Sequence, residues 1–207
     1  MTLHSPLLTL VVLLALPGSL SANPNDWPTW RGTDHTGHTH PDQDLPLKFS
    51  KSENVRWVAT IPGKGHGSPI VVGEQIFLAT AYEKAKTQSL LCYNRKTGKQ
   101  VWAKEIHKGN FPKKINNKAT HASSTPACDG ECVFINFMND GAVHTTALNL
   151  EGKILWQTEV TKYVVHQGFG SSPAVYKNLL IVSADNKTGG AICGLDRKTG
   201  KIIWKTD

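Results

Sequence analysis

The chain has 207 residues, 39% of them hydrophobic and 19% charged, with a formal net charge of +7. This composition excludes a disordered polymer, which would be poorer in apolar residues and more highly charged. Lys and Arg are scattered through turns, with Lys113-Lys114 the only adjacent pair outside two RKTGK phrases, so the charge does not gather into the basic stripe of a nucleic-acid binder.

In chain order, MTLHSPLLTLVVLLALPGSLSA comes first: an apolar run from Leu7 to Leu16, then Pro17, Gly18 and the small residues Ser19, Ser21 and Ala22. This is the layout of a secretory signal peptide, with cleavage expected after Ser21 or Ala22, although its start carries His4 rather than Lys or Arg. The run is too short to span a bilayer, and no later segment approaches the required length. The expected product is secreted or periplasmic, has no membrane span and meets no nucleic acid.

Residues 23–53 read as an N-terminal tail leading into the first strand. Within it, TDHTGHTH at 33–40 gathers Asp34, His35, His38 and His40. Neutral imidazoles are good zinc or copper ligands. No strand or helix period fixes their geometry, so a solvated loop is the stronger reading and the three histidines are weak metal candidates.

From residue 54 onward the chain repeats. Trp57, Trp102, Trp156 and Trp204 follow one another at intervals of 45, 54 and 48 residues. Ahead of the last three stand NRKTGK, NLEGK and DRKTGK. Asn94, Asn149 and Asp196 can accept hydrogen bonds from turn amides, and Gly98, Gly152 and Gly200 can take the positive φ that closes such a turn. A phosphate loop would need GxxxxGK[ST] leading into a helix, whereas these phrases lead into a β-rich segment ending in Trp. Upstream, GSPIVVGEQIFL, STPACDGECVFI and SSPAVYKNLLIV align on Pro69, Pro126 and Pro173 as hairpins. Each unit thus predicts four short strands in about 45 to 55 residues, the length of a propeller blade. A sandwich would not need the two phrases to recur together, and a helical solenoid would need a 3.6-residue apolar period that these units lack. The fold class expected is all-β: a β-propeller of four-stranded antiparallel blades, here about three blades of an incomplete ring.

Three groups of side chains can carry chemistry. His66 and Ser68, then His121, Ser123 and Ser124, then Ser171 and Ser172 stand before the aligned prolines. Pointed at the propeller axis, they would line one polar pocket drawn from several blades. The blander reading makes them small residues that let inner strands crowd the axis and satisfy backbone groups. Cys128 and Cys132 flank Asp-Gly-Glu and form a candidate disulfide across a hairpin, while Cys92 and Cys193 read as small buried hydrophobes. Asn186-Lys187-Thr188 matches a glycosylation acceptor and is read as incidental.

WPTWRG at 27–32, GHGSPIVVG at 65–73 and the repeated D/N-R-K-T-G-K-x-x-W resemble the PQQ-like (pyrroloquinoline-quinone) β-propeller repeat proteins of bacteria. The likeness runs from about Trp27 to Asp207 and implies an N-terminal portion of a closed seven- or eight-bladed ring, with PQQ-like repeats over 54–207. Quinoprotein alcohol dehydrogenases of that superfamily carry two adjacent, bridged cysteines and acidic and amide ligands for calcium. This sequence has no adjacent cysteines, and neither a calcium-ligand nor a catalytic Asp motif aligns. The expectation is therefore an exported non-catalytic module that binds a ligand or protein partner, with no cofactor evident. The rival is the N-terminal part of a PQQ-dependent alcohol or polyol dehydrogenase, which would use PQQ with calcium.

Overall fold

The structure, a computed structural model, describes residues 23–187 and 189–207. The signal-peptide segment 1–22 and Thr188 of the glycosylation acceptor lie outside the described residues. The described chain forms three four-stranded antiparallel sheets and no helix, each sheet running in sequence order from its first strand to its fourth. The first blade is β1 (Ile70–Val72), β2 (Gln75–Tyr82), β3 (Thr87–Asn94) and β4 (Gln100–Lys108). The second is β5 (Ala127–Cys128), β6 (Cys132–Asn139), β7 (Ala142–Asn149) and β8 (Ile154–Lys162). The third is β9 (Ala174–Tyr176), β10 (Leu179–Ser183), β11 (Ile192–Asp196) and β12 (Ile202–Thr206). β5 lies beside both β1 and β9, so the short first strands crowd together on the inside while β4, β8 and β12 lie outermost. This is the blade arrangement of a propeller, as the repeat predicts.

The period-2 geometry of a strand sends alternate side chains to opposite faces, and β6 uses both. Val133, Ile135 and Phe137 pack with Phe77, Leu90 and Cys92 in the seam between the first and second blades. Phe134 and Met138 pack with Leu180, Val182 and Leu195 in the seam between the second and third. A strand buried on both faces reads as the apolar run CVFINFM, broken only by Asn136. Burying each of these large side chains contributes about 2 kcal/mol.

The register also decides the cysteines. Cys128 pairs with Val133, which places Cys132 on the opposite face of the sheet. Cys128 enters the first seam and Cys132 the second, and both thiols are free. The bridge expected from their spacing is absent because a hairpin brings two residues together only when they share a face. Burial pushes the thiols of Cys92 and Cys128 up to about 11 and about 12, as expected of inert core cysteines.

The RKTGK phrase builds the joint between blades. Asn94 Oδ1 accepts from the amides of Lys96 (3.0 Å) and Thr97 (2.9 Å) and from the Thr97 hydroxyl (3.0 Å). Asp196 Oδ1 does the same for Lys198 (3.1 Å) and Thr199 (2.8 Å for both groups). The flat turn closed by Gly98, Gly152 or Gly200 receives the indole of the preceding unit's tryptophan. Trp57 Nε1 donates to the Arg95 carbonyl (2.9 Å), Trp102 to Leu150 (3.0 Å) and Trp156 to Arg197 (3.1 Å). On its other side Trp102 meets Phe77 and Trp156 meets Phe134, at ring-centroid distances of 5.8 and 6.0 Å. Each indole thus spans one seam.

Two ion pairs lock the same end. Arg197 Nη1 lies 2.9 Å from Asp129 of the neighbouring blade. Arg95 Nη1 lies 3.8 Å from Asp26, which also accepts the Gly73 amide at 2.9 Å. The segment around Trp27 is tied in further by backbone pairing between Trp27 and Val71 and by the Cys128 amide donating to the Pro28 carbonyl.

Candidate functional site

In an up-and-down blade the first-to-second and third-to-fourth strand turns share one end, and the blade-to-blade connections emerge at the other. The turn end holds a cavity of 570 Å³ among Asp26, Pro28, Val72, Gln75, Cys128 and Asp129. Its three carboxylates are already engaged: Asp26 with Arg95, Glu74 with Lys96, and Asp129 with Arg197 and the amides of Glu131 and Cys132. This end is a structural joint.

The connection end is chemically richer. Three successive connections, 62–69, 109–126 and 163–173, meet around a shallow, solvent-open cavity of 370 Å³ lined by His66, Asn116, Lys118, Ser123, Gln167 and Phe169, among others. Asn116 Nδ2 donates to Gln167 Oε1 at 2.6 Å, and the Asn116 amide donates to the Gln167 carbonyl at 2.9 Å, which fixes two connections against each other. Lys118 is exposed, and its ammonium makes no ion pair with another described residue. The site therefore offers one cation, two amides, an imidazole and a hydroxyl, beside the ring of Phe169. Such a set suits a flat, anionic or carbonyl-rich ligand.

The seven residues expected to line an axial pocket divide. His66 and Ser123 face this cavity. His121 turns aside into a crevice of 10 Å³ with Pro112, Met138 and Phe169, stacked on Phe111 at 4.1 Å, and burial lowers its pKa. Ser68, Ser171 and Ser172 belong to a backbone brace. The Ser68 amide donates to Thr125 Oγ1 (2.9 Å), the Thr125 amide donates to Ser172 Oγ (3.0 Å), and the Ser171 carbonyl accepts from Asn136 Nδ2 (3.2 Å). Ser124 is buried with no partner for its hydroxyl among the described residues. Its carbonyl occupies the space a side chain on Gly67 would need, so the crowding argument holds at that point.

The equivalent residues are thus Ser68, Thr125 and Ser172, each directly before its proline. Thr125 was the member missed, and its place before Pro126 is the signal that identifies it. Asn116, Lys118 and Gln167 were missed too, because connections of unequal length carry no period.

His35, His38 and His40 stay on an exposed loop. His35 Nδ1 lies 3.4 Å from Thr29 Oγ1, and His40 lies 3.5 Å from Asp42. Among the described residues no group of three or more His, Cys, Asp or Glu side chains is placed to hold a metal ion. Nor is any described helix long and apolar enough to cross a membrane.

Comparison with known proteins gives the same architecture. A PQQ-like repeat family model described as outer membrane protein assembly factor BamB matches residues 48–162 and again 86–207. A polyvinylalcohol dehydrogenase of a Pseudomonas species is 24% identical in an alignment 200 residues long that covers 89% of this chain and 29% of that protein. A europium-containing methanol dehydrogenase superposes with a TM-score of 0.60 at 17% identity, over 89% of this chain and 32% of its own. The quinohemoprotein alcohol dehydrogenase from Comamonas testosteroni gives 0.56 at 17% identity, over 88% of this chain and 27% of its own. The chain spans less than a third of the length of these relatives.

Proposed function

This chain belongs to the PQQ-like repeat β-propeller family, and from that premise we propose that it builds part of the wall of a quinoprotein-type alcohol dehydrogenase. The substrate class would be an alcohol or polyol. The observation that carries this reading is the donor set where three blade connections meet, Lys118, Asn116, Gln167, His66 and Ser123 beside Phe169. The polyvinylalcohol dehydrogenase relative supports it. PQQ is a flat polycarboxylate quinone, and these donors fit its acidic rim: Lys118 would meet a carboxylate, the amides would hold carbonyls, and Phe169 would offer an aromatic edge. Bound PQQ would supply the two-electron acceptor for alcohol oxidation. A calcium site does not fit, since the described residues gather no carboxylate cluster there, and the four cysteines are free and non-adjacent. The residues present would therefore bind and orient, and no proton-transfer role is assigned to any of them. The apolar run and small residues ahead of Asn23 support export to the periplasm, with residues 23–53 leading into repeats over 54–207.

A second reading, a propeller module that binds without chemistry, rests on the same donors and on the three pre-proline positions, whose hydroxyls or amides serve the backbone brace. Titration of the purified chain with PQQ and calcium, followed by alcohol oxidation with an artificial electron acceptor, separates the two. Saturable quinone binding weakened about tenfold by Lys118→Ala, together with turnover, supports the dehydrogenase reading. Quinone binding without turnover supports the binding module. No saturable binding of quinone removes the dehydrogenase reading for these residues.

A further inference from the structure

The ion pairs of the turn end leave a space beside them unfilled. The 570 Å³ cavity there has apolar walls of Pro28, Val72, Cys128 and Leu150, and it adjoins a second cavity of 480 Å³ beneath the 23–43 segment, since Asn23, Asp26 and Thr33 line both. Close-packed interiors hold few voids larger than a water molecule, whereas ligand pockets measure about 300 to 1,000 Å³. The covering segment is held in place. Backbone pairing of Trp27 with Val71, the Cys128 amide on the Pro28 carbonyl (2.8 Å) and Arg95 Nη2 on the Asn25 carbonyl (3.3 Å) fix its start. Arg31 has a φ of +66°, rare for a residue with a side chain, and is kept there by its Nη2 on the Thr36 carbonyl and by the Gly37 amide on its own carbonyl, both at 2.9 Å. The Trp27 ring rests on Gly32, where an added Cβ would fall 2.9 Å from it. Backbone strain maintained beside an open cavity points to use of that cavity.

The groups on these walls define the ligand. The Trp27 Nε1–H, the His38 ring, the Asn25 side-chain amide and the Thr33 and Thr39 hydroxyls line the second cavity, and none makes a hydrogen bond with another described residue. An anion would meet Asp26, Glu74 and Asp129 along the first cavity and Asp34 in the second. A cation would find the first three already paired with Arg95, Lys96 and Arg197. What remains is an apolar floor and a rim of neutral donors and acceptors, which is the complement of hydroxyl groups carried on an apolar skeleton. We propose that the paired cavities bind a linear polyhydroxylated chain, its carbon skeleton against Pro28, Val72 and Leu150 and its hydroxyls on Trp27 Nε1, Asn25 and Thr33. The site lies at the opposite end of the blades from the Lys118 cavity and does not depend on quinone binding there.

Titration calorimetry of the purified chain with a short poly(vinyl alcohol) oligomer and with maltopentaose tests this. At least one should bind saturably with a Kd of about 1 mM or tighter, and which of them does so identifies the skeleton as hydrocarbon or sugar. Poly(ethylene glycol) of matched length, which carries no hydroxyls along its chain, should bind at least about tenfold more weakly. In the indole N–H region of the NMR spectrum, the Trp27 resonance, assigned with Trp27→Phe, should move on binding, while those of Trp57, Trp102 and Trp156, already bonded to carbonyls, stay in place. Asn25→Ala and Thr33→Val remove side-chain groups that hold nothing in the fold, and each should weaken binding about fivefold. Lys118→Ala should leave it unchanged, and quinone binding should be unaltered in the Asn25 and Thr33 variants, so that failure of one site is told from failure of the other. Absence of saturable binding by both hydroxylated chains overturns the proposal. So does equal binding of poly(ethylene glycol), which would mark mere filling of an apolar hole, and so does competition by spermidine, which would make the carboxylates the recognised feature.

Discussion

Gly98 and Gly200 have φ of +68° and +72°, and a Cβ on either would fall 2.5 Å from the Trp57 or Trp156 ring. Two costs coincide at one atom: the left-handed backbone, which β-branched residues resist, and a collision with an indole that its Nε1–H ties to the Arg95 or Arg197 carbonyl of the same turn. Gly98→Val or Gly200→Val should lower stability by about 3 kcal/mol or more, read as a drop in urea midpoint. The neighbouring lysines behave differently. Lys96 makes only an exposed ion pair with Glu74, at 3.2 Å, so Lys96→Ser and Lys198→Ser should change stability by less than about 0.5 kcal/mol. Loss of quinone binding in the lysine variants would return an anion-binding role to these turns. The turn chemistry was legible because it is local: Asn or Asp accepting from the next amides, and glycine at the closing position, are sequence-adjacent facts. What the indole touches was not, since Gly98 and Trp57 are 41 residues apart and only the stacking of whole blades brings them together. Arg95 and Arg197 were hidden for the same reason, each reaching a carboxylate from a distant segment.

Between elements, the seam of the first two blades contains a polar knot within apolar packing. Gln88 on β3, fully buried, donates through Nε2 to the carbonyls of His121 (2.7 Å) and Met138 (3.1 Å) and accepts from Asn139 Nδ2 at 3.1 Å. Asn139 also reaches the Gly109 carbonyl at 3.0 Å. One amide therefore ties the end of β6 and the 109–126 connection, which carries Asn116, Lys118 and Ser123, to the first blade. Gln88→Leu would take the Gln88 donor from the His121 and Met138 carbonyls and leave Asn139 only its bond to Gly109. It should cost about 2 to 4 kcal/mol in denaturant unfolding and weaken whatever ligand the connection-end cavity takes. A stability loss with unaltered affinity would separate the knot from the site. Strands and their order followed from the repeat, because apolar alternation and turn residues act over a few positions. A buried Gln in TQSLLCYN carries no mark in sequence that distinguishes it from a solvent-facing one, since its partners lie 33 to 51 positions away.

For the molecule as a whole, the same seam makes stability depend on pH through two histidines. His107 on β4 and His144 on β7 face each other with ring centroids 5.0 Å apart, and His107 Nε2 and His144 Nδ1 are buried without a partner among the described residues. Burial first, and His144 second, push the His107 pKa down to about 4. Burial likewise lowers His144, opposed by Glu159, whose carboxylate lies 3.9 Å from its Nε2, and by the Ala142 backbone and Asp140, while Lys162 adds to the lowering. The unfolded chain takes a proton on His107 near pH 6.5, whereas the folded chain refuses it until about pH 4. Between those values the unfolded state holds more protons, so stability falls as pH drops through that window and this contribution levels off below it. The loss between pH 7 and pH 4 should be on the order of 2 kcal/mol from His107, with a smaller part from His144 in the same direction. Glu159 and Asp196, whose pKa values are lowered mainly by hydrogen bonds from Lys162 and Thr199, contribute stability that is lost only at still lower pH, as they protonate below their ordinary range. Urea unfolding at intervals from pH 7 to pH 4 should show the midpoint declining, and His107→Phe should flatten the decline while leaving the acid limb below pH 4. A slope unchanged in that variant would place the titration elsewhere. Since a blade seam, rather than one strand, takes up the charge, acid should loosen the first blade from the second before either sheet unravels, visible as hydrogen exchange rising together in β4 and β7.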